Sequence, residues 1–237
     1  MDKITTKNLN ADVKFFVAKQ PLVTLGFSTG KDSLCCAVML KKMGVPFIPF
    51  YFYQIPDLSF INKNIRLYER LLEISIVRYP HPMLYDYLRH QDFQPPDMIK
   101  YLVEYDLPKL TFADIISCHL ISIGIDYPVY DITGQRAGES FNRRKHFEKE
   151  GFINHNKCKI NMIADWNKAD VMNYLKANDV PLTNDYKIWN RSFDGLKYQF
   201  LFGVKENYPE DYDKIKKMFP LVDLEIKRYE FNREYFR

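Results

Sequence analysis

The run Ser28-Thr29-Gly30-Lys31-Asp32-Ser33 follows the apolar stretch Val23 to Phe27. Ser28, Thr29 and Gly30 permit a tight turn and close backbone approach. A helix opening directly after them would aim its free first-turn amides at the loop. Those amides and the helix dipole attract an anion, typically a phosphate. Lys31 adds a full positive charge, Ser28 and Ser33 offer hydroxyl donors, and Asp32 can hold the loop or help bind Mg²⁺. The run is not a Walker A loop, which needs four residues between its glycines and Ser or Thr directly after Lys. Here three residues separate Gly26 from Gly30, and Asp32 follows Lys31. A plain strand-to-helix turn is the competing reading of this segment alone.

A second chemistry-bearing loop runs from Gly134 to Arg144 and also follows an apolar stretch, Val129 to Thr133. Arg136 can engage two oxygens of a phosphate or sulfate at once. Glu139 can orient Arg136 or a bound metal, and Ser140 can cap the helix that follows. Arg143 and Arg144 add positive potential. Alone, this segment also reads as a solvated basic turn. The two loops together, each at the end of a strand, favour one phosphate site.

These segments resemble a known family. The first loop is similar to the SGGxDS-type PP-loop that grips the pyrophosphate of ATP, with Thr29 standing where glycine is usual. Gly134-Gln135-Arg136-Ala137-Gly138-Glu139-Ser140 with Arg143 resembles the GxRxxES..R signature of PAPS reductases and their relatives. Ile163-Ala164-Asp165-Trp166, then Asp170-Val171, Tyr174 and Pro181, resembles a third segment of that family, a helix packed behind the site; Trp166 is accordingly core or site wall. The resemblance covers Gly26 to Pro181, and the whole chain is similar to reductase-like proteins often encoded by bacteriophages. It implies an adenine nucleotide alpha hydrolase-like fold and a site for ATP, or for PAPS or APS, with Mg²⁺ held in part by Asp32. It implies chemistry carried by Lys31, Asp32 and Arg136. Ser28, Thr29, Gly30, Ser33, Gly134, Glu139, Ser140 and Arg143 would line the nucleotide, and Tyr53, with Tyr51, would end the strand where relatives meet adenine or ribose.

The chain departs from the reductases in its cysteines. Those enzymes attack sulfur with a cysteine in a C-terminal Glu-Cys-Gly-(Leu/Ile)-His motif, whereas no cysteine follows Cys158 here. Cys35-Cys36 has no Cys-x-x-Cys partner for an iron–sulfur cluster, and its expected place is a core-facing helix.

Five strands are expected to position the loops: Val23–Phe27, Phe47–Tyr53, Ile74–Tyr79, Val129–Thr133 and Ile160–Ile163. Phe47 to Tyr53 is almost wholly apolar or aromatic, as suits a parallel strand buried on both faces. Helices are expected at Ser33–Met43 with a stop at Gly44, Ser59–Leu72 with Ser59 as N-cap, Phe112–Ile123, Asn167–Asn178 and Pro209–Met218. His81 to Pro108 reads as irregular with short helices, His81 as a structural His-Pro turn more than an acid/base group, and Gln94-Pro95-Pro96 as a loop over the pocket. The alternation predicts an α/β, doubly wound, parallel five-stranded twisted sheet with flanking helices. Ligands of such sheets lie beyond the carboxyl ends of the strands. Residues 1–185 are expected to form the nucleotide-binding domain and 186–237 a helical extension packed on it.

Composition bounds the rest. With 237 residues, 46% of them hydrophobic, one sizeable core is expected. The net charge of +4 is mild for a dedicated nucleic-acid binder. No apolar run approaches the roughly 18 residues of a membrane span, and Met1-Asp2-Lys3-Ile4 is no signal peptide, so a cytoplasmic protein is expected. In the tail, Arg228, Arg233 and Arg237 alternate with Tyr229, Phe231, Tyr235 and Phe236. This pattern suits single-stranded nucleic acid, but Glu225, Glu230 and Glu234 dilute it toward a packing tail or homo-oligomer interface.

The leading expectation is therefore an enzyme acting at the α-phosphate of an adenylyl nucleotide, adenylating an acceptor for sulfur or nitrogen transfer. The acceptor stays open between a nucleic acid and a sulfur-carrier protein. The alternatives are a sulfonucleotide (PAPS or APS) reductase-like enzyme using an external thiol, and a non-catalytic nucleotide-binding subunit.

Overall fold

The computed structural model describes residues 6–98 and 109–235, with side chains up to residue 232. Its strands are β1 (Val23–Gly26), β2 (Phe47–Tyr53), β3 (Val77–Pro80), β4 (Tyr130–Thr133), β5 (Ile153–Asn154) and β6 (Lys159–Asn161). Its helices are α1 (Ala11–Ala18), α2 (Lys31–Met43), α3 (Ser59–Leu72), α4 (Pro82–Arg89), α5 (Phe112–Ser122), α6 (Phe141–Glu150), α7 (Lys168–Ala177), α8 (Asn184–Trp189), α9 (Tyr198–Asn207), α10 (Pro209–Met218) and α11 (Asp223–Tyr235). Among the described residues no helix is long and apolar enough to cross a membrane.

The strands form one sheet in the order β3-β2-β1-β4-β6-β5. β1 pairs in parallel with β2 (Leu25 opposite Pro49) and with β4 (Leu25 opposite Ile132), and β4 pairs in parallel with β6. From β1 the chain winds outward to β2 and β3 on one side, then crosses to β4 and β6 on the other. The order reverses between β1 and β4, the place where doubly wound sheets bind ligands. The sheet thus has six strands rather than the expected five. The added strand, β5, runs antiparallel to β6. It is two residues long, too short to print an alternating pattern in the sequence. The expected strand at Ile160–Ile163 begins one residue earlier and ends at Asn161, and the third begins at Val77 rather than Ile74.

Backbone contacts divide the chain into two compact units. The first comprises the chain up to Tyr51, Asn64–Arg78 and Tyr127–Thr183. Its core joins the aliphatic Val23, Leu25, Leu34, Leu40, Ile132, Ile160 and Val171 with the enclosed rings of Phe27, Phe50 and Tyr68. α2 buries every residue from Ser33 to Leu40 and ends where Gly44 takes the left-handed conformation (φ 67°) that glycine tolerates. α7 is closed by a capping box of Asn167 and Asp170. Trp166 is buried and meets Tyr174 edge-on, taking the core place of the two expected for it, core or site wall. α1, capped by Asn10, was not expected; it buries only Val13 and Val17 and carries a weak pattern.

The second unit comprises Phe52–Lys63, Tyr79–Asp126 and the chain from Asn184 onward. Phe60, Trp189, Phe193, Phe200 and Tyr208 form its aromatic core. Ser59 does not cap α3. It is the first residue of the helix, and Asp211 caps it from a distance: the Ser59 amide donates to Asp211 Oδ1 at 2.8 Å, and the Ser59 hydroxyl and Phe60 amide donate to Oδ2 at 2.7 and 3.2 Å. His81 is structural, its Nδ1 accepting from the Met83 amide at the start of α4. Burial lowers its imidazole pKa, against the pull of Asp194 and Asp86. Gln94 donates to the Met218 carbonyl, and Pro96–Met98 is a short 3-10 turn. In the tail Tyr229 stacks on Tyr198 at 3.6 Å and Arg228 is gripped by Glu225. The Arg233, Tyr235, Phe236 and Arg237 side chains and residues 99–108 lie outside the described residues.

Candidate functional site

The first loop is built by β1 and α2. α2 starts at Lys31 with Gly30 as N-cap and receives no side-chain cap, so its first turn keeps its anion-seeking character. The loop is held from within. The Ser28 amide donates to Ser33 Oγ at 3.2 Å, the Gly30 amide donates to Ser28 Oγ at 3.4 Å, and Ser33 Oγ donates to the Gly30 carbonyl at 3.0 Å. The Ser33 hydroxyl proton is thereby committed to the loop itself.

Thr29 is the unusual residue. Its φ is 60°, a left-handed conformation costly for a β-branched side chain. It is only 3% exposed, and its Oγ1 is buried without a hydrogen-bond partner. A buried hydroxyl left unpaired costs about 1–3 kcal/mol. A strained backbone and an unsatisfied donor thus coincide at the centre of the loop.

The second loop reaches the first through Arg136. Its Nε donates to Asp32 Oδ1 at 2.8 Å, while Lys31 Nζ donates to Asp32 Oδ2 at 2.5 Å. Arg136 is 7% exposed, and its Nη2 donates to Glu139 Oε1 at 3.1 Å. Glu139 also pairs with Arg143. Lys31, Asp32, Arg136, Glu139 and Arg143 form one unbroken chain of alternating charge. Ser140 caps α6, accepting from the Arg143 amide as expected.

Gly134 makes the approach possible. A Cβ there would lie 2.8 Å from the backbone carbon of Asp32, closer than packed atoms come, so only glycine lets the two loops touch. Two further hydrogen bonds position the second loop, and no local pattern in the sequence announces either pairing. The Ala137 amide donates to the Ala164 carbonyl at 2.7 Å, and Thr133 Oγ1 donates to Asn161 Oδ1 at 2.6 Å. The first of these bonds ties the second loop to the third family-like segment.

The structure thus brings Ser28, Thr29, Gly30, Lys31, Asp32 and Ser33 together with Gly134, Arg136, Glu139, Ser140 and Arg143. Tyr53 ends β2 in the second unit, where its carbonyl accepts from the His81 amide; burial raises its phenol, with Tyr85 and Asp57 adding to the effect. Asp32 has both oxygens engaged by cations. Among the described residues no group of three or more His, Cys, Asp or Glu side chains is arranged to hold a metal. Cys35 and Cys36 are fully buried on α2, and burial, reinforced at each by Asp32, pushes both thiols well above their ordinary range. Neither is an available thiolate beside the loop.

Fold and geometry together define a doubly wound α/β protein whose Lys31 and Arg136 meet on Asp32 at the reversal of its strand order. Comparison with known proteins gives the following likenesses. No protein-family model matches the chain. An uncharacterized protein of Methanocaldococcus jannaschii is 25% identical over 261 aligned positions, 96% of this chain and 56% of that protein. An adenosine 5'-phosphosulfate reductase of Burkholderia cepacia is 45% identical over 51 residues, 22% of this chain and 20% of the reductase. The chain therefore spans little more than half the length of one curated relative and a fifth of the other. Among solved structures, a PAPS reductase of Candida auris in a phosphate complex matches at 16% identity and a TM-score of 0.45, covering 81% of this chain and 97% of that one. An NMN synthetase of Francisella tularensis matches at 13% identity and a TM-score of 0.42, covering 86% and 92%. An ammonia-dependent NAD synthetase of Campylobacter jejuni matches at 11% identity and a TM-score of 0.40, covering 93% of each chain.

Proposed function

We propose that this chain is a PP-loop enzyme of the PAPS reductase-like group that binds ATP, or a related adenylyl nucleotide, and acts at its α-phosphate. The observation that carries this reading is the pairing of Lys31 and Arg136 on the two oxygens of Asp32, at the uncapped start of α2. Two cations held one carboxylate apart are spaced to receive a polyphosphate. Asp32 keeps them together while no anion is present and yields them to phosphate oxygens when one arrives. The Thr29 hydroxyl, unpaired and buried, is a further donor for such an oxygen. The local identity with an APS reductase adds support for an adenylyl ligand.

In the proposed reaction a lone pair of the acceptor attacks the α-phosphorus. The bond to the bridging oxygen breaks, and pyrophosphate leaves with its electron pair. Lys31, Arg136 and the first-turn amides of α2 stabilise the charge that grows on the phosphate oxygens. Magnesium fits the protein's own groups poorly, because both carboxylates of the charge chain, Asp32 and Glu139, are already bound by two cations each. It would enter with the nucleotide's phosphates, as this ion commonly does.

The test is pyrophosphate release from ATP in the presence of candidate acceptors, comparing wild type with Lys31→Ala; equal rates would sink the role of Lys31. The second reading is a PAPS- or APS-binding enzyme served by an external thiol. The APS reductase likeness favours it, and calorimetry with ATP, APS and PAPS separates the two by their order of affinity.

A further inference from the structure

Residues 140–160 carry Arg143, Arg144, Lys145, Lys149, Lys157 and Lys159 against Glu148 and Glu150, a surplus of four that equals the whole chain's +4. The charge excess is thus confined to α6 and the β5–β6 hairpin. α6 is held to the protein by one buried residue, Phe147. Most of the helix faces outward: Arg144, Lys145 and Lys149 are exposed with Glu148 among them, Arg143 and Glu150 are half-buried, and Phe141 is 65% exposed with Lys145 Nζ 4.6 Å from its ring centroid. Lys145 and Lys149 stand one turn apart with like charge; Glu148, one turn from Arg144 and Lys145, offsets part of that repulsion and leaves a net positive face. Beside the C-terminal end of α6 an open groove of about 460 Å³ is lined by Glu150, Ile153, Asn154, His155, Asn156 and Lys157. Its Asn154 amide is engaged by Glu150 and the Lys157 backbone, His155 Nδ1 by Tyr130, and Lys157 stands beside Glu150, so the groove adds shape and the exposed Lys157 ammonium rather than free hydrogen-bonding edges.

We propose that the outer face of α6 and the adjoining groove bind single-stranded nucleic acid, with phosphates on Arg144, Lys145 and Lys149 and a base stacked against Phe141. Cations interleaved with an exposed ring are what a flexible polyanion with flat bases requires. An acidic polypeptide would use the charge and leave the ring idle. A duplex keeps its bases stacked on one another and gains nothing from Phe141. The surface stands apart from the nucleotide reading in its evidence, but Ser140 and Arg143 join α6 to the Arg136 loop, so a bound strand would lie within reach of chemistry at that loop.

Fluorescence anisotropy of the full chain with labelled DNA and RNA strands of about 12 nucleotides tests this. Single strands should bind, and log affinity should fall with log salt at a slope near −2, about three phosphates neutralised at roughly −0.7 each. The double variant Lys145→Glu/Lys149→Glu should weaken binding at least tenfold by removing two of those contacts. Phe141→Ala should weaken it by roughly tenfold and Phe141→Trp should restore it, as stacking demands. ATP affinity of the Phe141 and lysine variants, measured by calorimetry, should stay at the wild-type value, which separates failure of this surface from failure of the nucleotide site. The proposal is overturned if wild type binds no strand at low salt or if the lysine and Phe141 variants bind as wild type does. It is equally overturned if polyglutamate or duplex DNA binds as tightly as the single strand.

Discussion

Arg136 Nε lies 2.8 Å from Asp32 Oδ1, joining residues 104 positions apart in the chain. This bond makes one site of two loops, and it does so with a guanidinium that is almost wholly enclosed. A group so placed is held both by its partners and by its packing. Arg136→Ala should therefore lower stability by about 2–4 kcal/mol, by leaving Asp32 and Glu139 short of a partner, and should weaken nucleotide binding at least tenfold. Arg136→Lys should recover part of the stability and little of the affinity, because an ammonium cannot serve two oxygens in one plane. Thermal unfolding with calorimetric titration of ATP checks both.

Gly134→Ala tests the contact of the loops by shape alone. Its methyl group would meet the Asp32 backbone at 2.8 Å, and backbone cannot swing aside as a side-chain end can. The expected loss is about 1–3 kcal/mol, a fall in Tm of roughly 2–4 °C for each kcal/mol in a chain of this size. Nucleotide affinity should fall as well, since the displaced residue is Asp32. An unchanged Tm would show that the loops do not touch as described.

Thr29→Gly should separate stability from binding. Glycine adopts φ 60° without strain and removes the unpaired buried hydroxyl, so the variant should unfold at a higher temperature, by about 1 kcal/mol. If that hydroxyl serves the ligand, the same variant should bind ATP several-fold more weakly, and Thr29→Ser should retain affinity. A Tm that falls in Thr29→Gly would mean the threonine is comfortable where it stands.

Asp211 gives the acid limb of stability. Burial alone would raise its carboxyl pKa, but bonds from Lys214, Ser59 and the Phe60 amide outweigh that and hold it below the ordinary range. A depressed folded pKa contributes stability that is complete above the unfolded value near 3.9 and is lost as pH falls through the lower folded value. Asp211→Asn should accordingly be less stable than wild type at pH 7, with the gap closing below about pH 4. Urea titrations at several pH values measure it.

Much of this architecture was legible in the chain. Phe47–Tyr53 and Pro209–Met218 occupy the expected spans, because one is a long apolar run and the other opens on proline followed by the acidic Glu210 and Asp211. Gly44 marked the end of α2 through a conformation that glycine favours. The convergence of Lys31 and Arg136 was expected from two anion-suited loops that each follow a strand; that those strands are neighbours is a feature of the structure. What could not be read were the features set by distant partners. Ser59 has the chemistry of an N-cap, but the carboxylate that satisfies the first turn comes from Asp211, and no local pattern announces it. β5 exists only because β6 is there to pair with it. Thr29 looked like a mild departure from glycine, while its strain and its unpaired hydroxyl appear only in three dimensions.

The bond from Ser59 to Asp211 spans 152 residues. During synthesis the first turn of α3 must wait, its amides turned to water, until the 152 residues that lead to Asp211 have been added. A nascent chain halted before Asp211 would hold α3 with a frayed start, so this helix is completed out of step with its own synthesis.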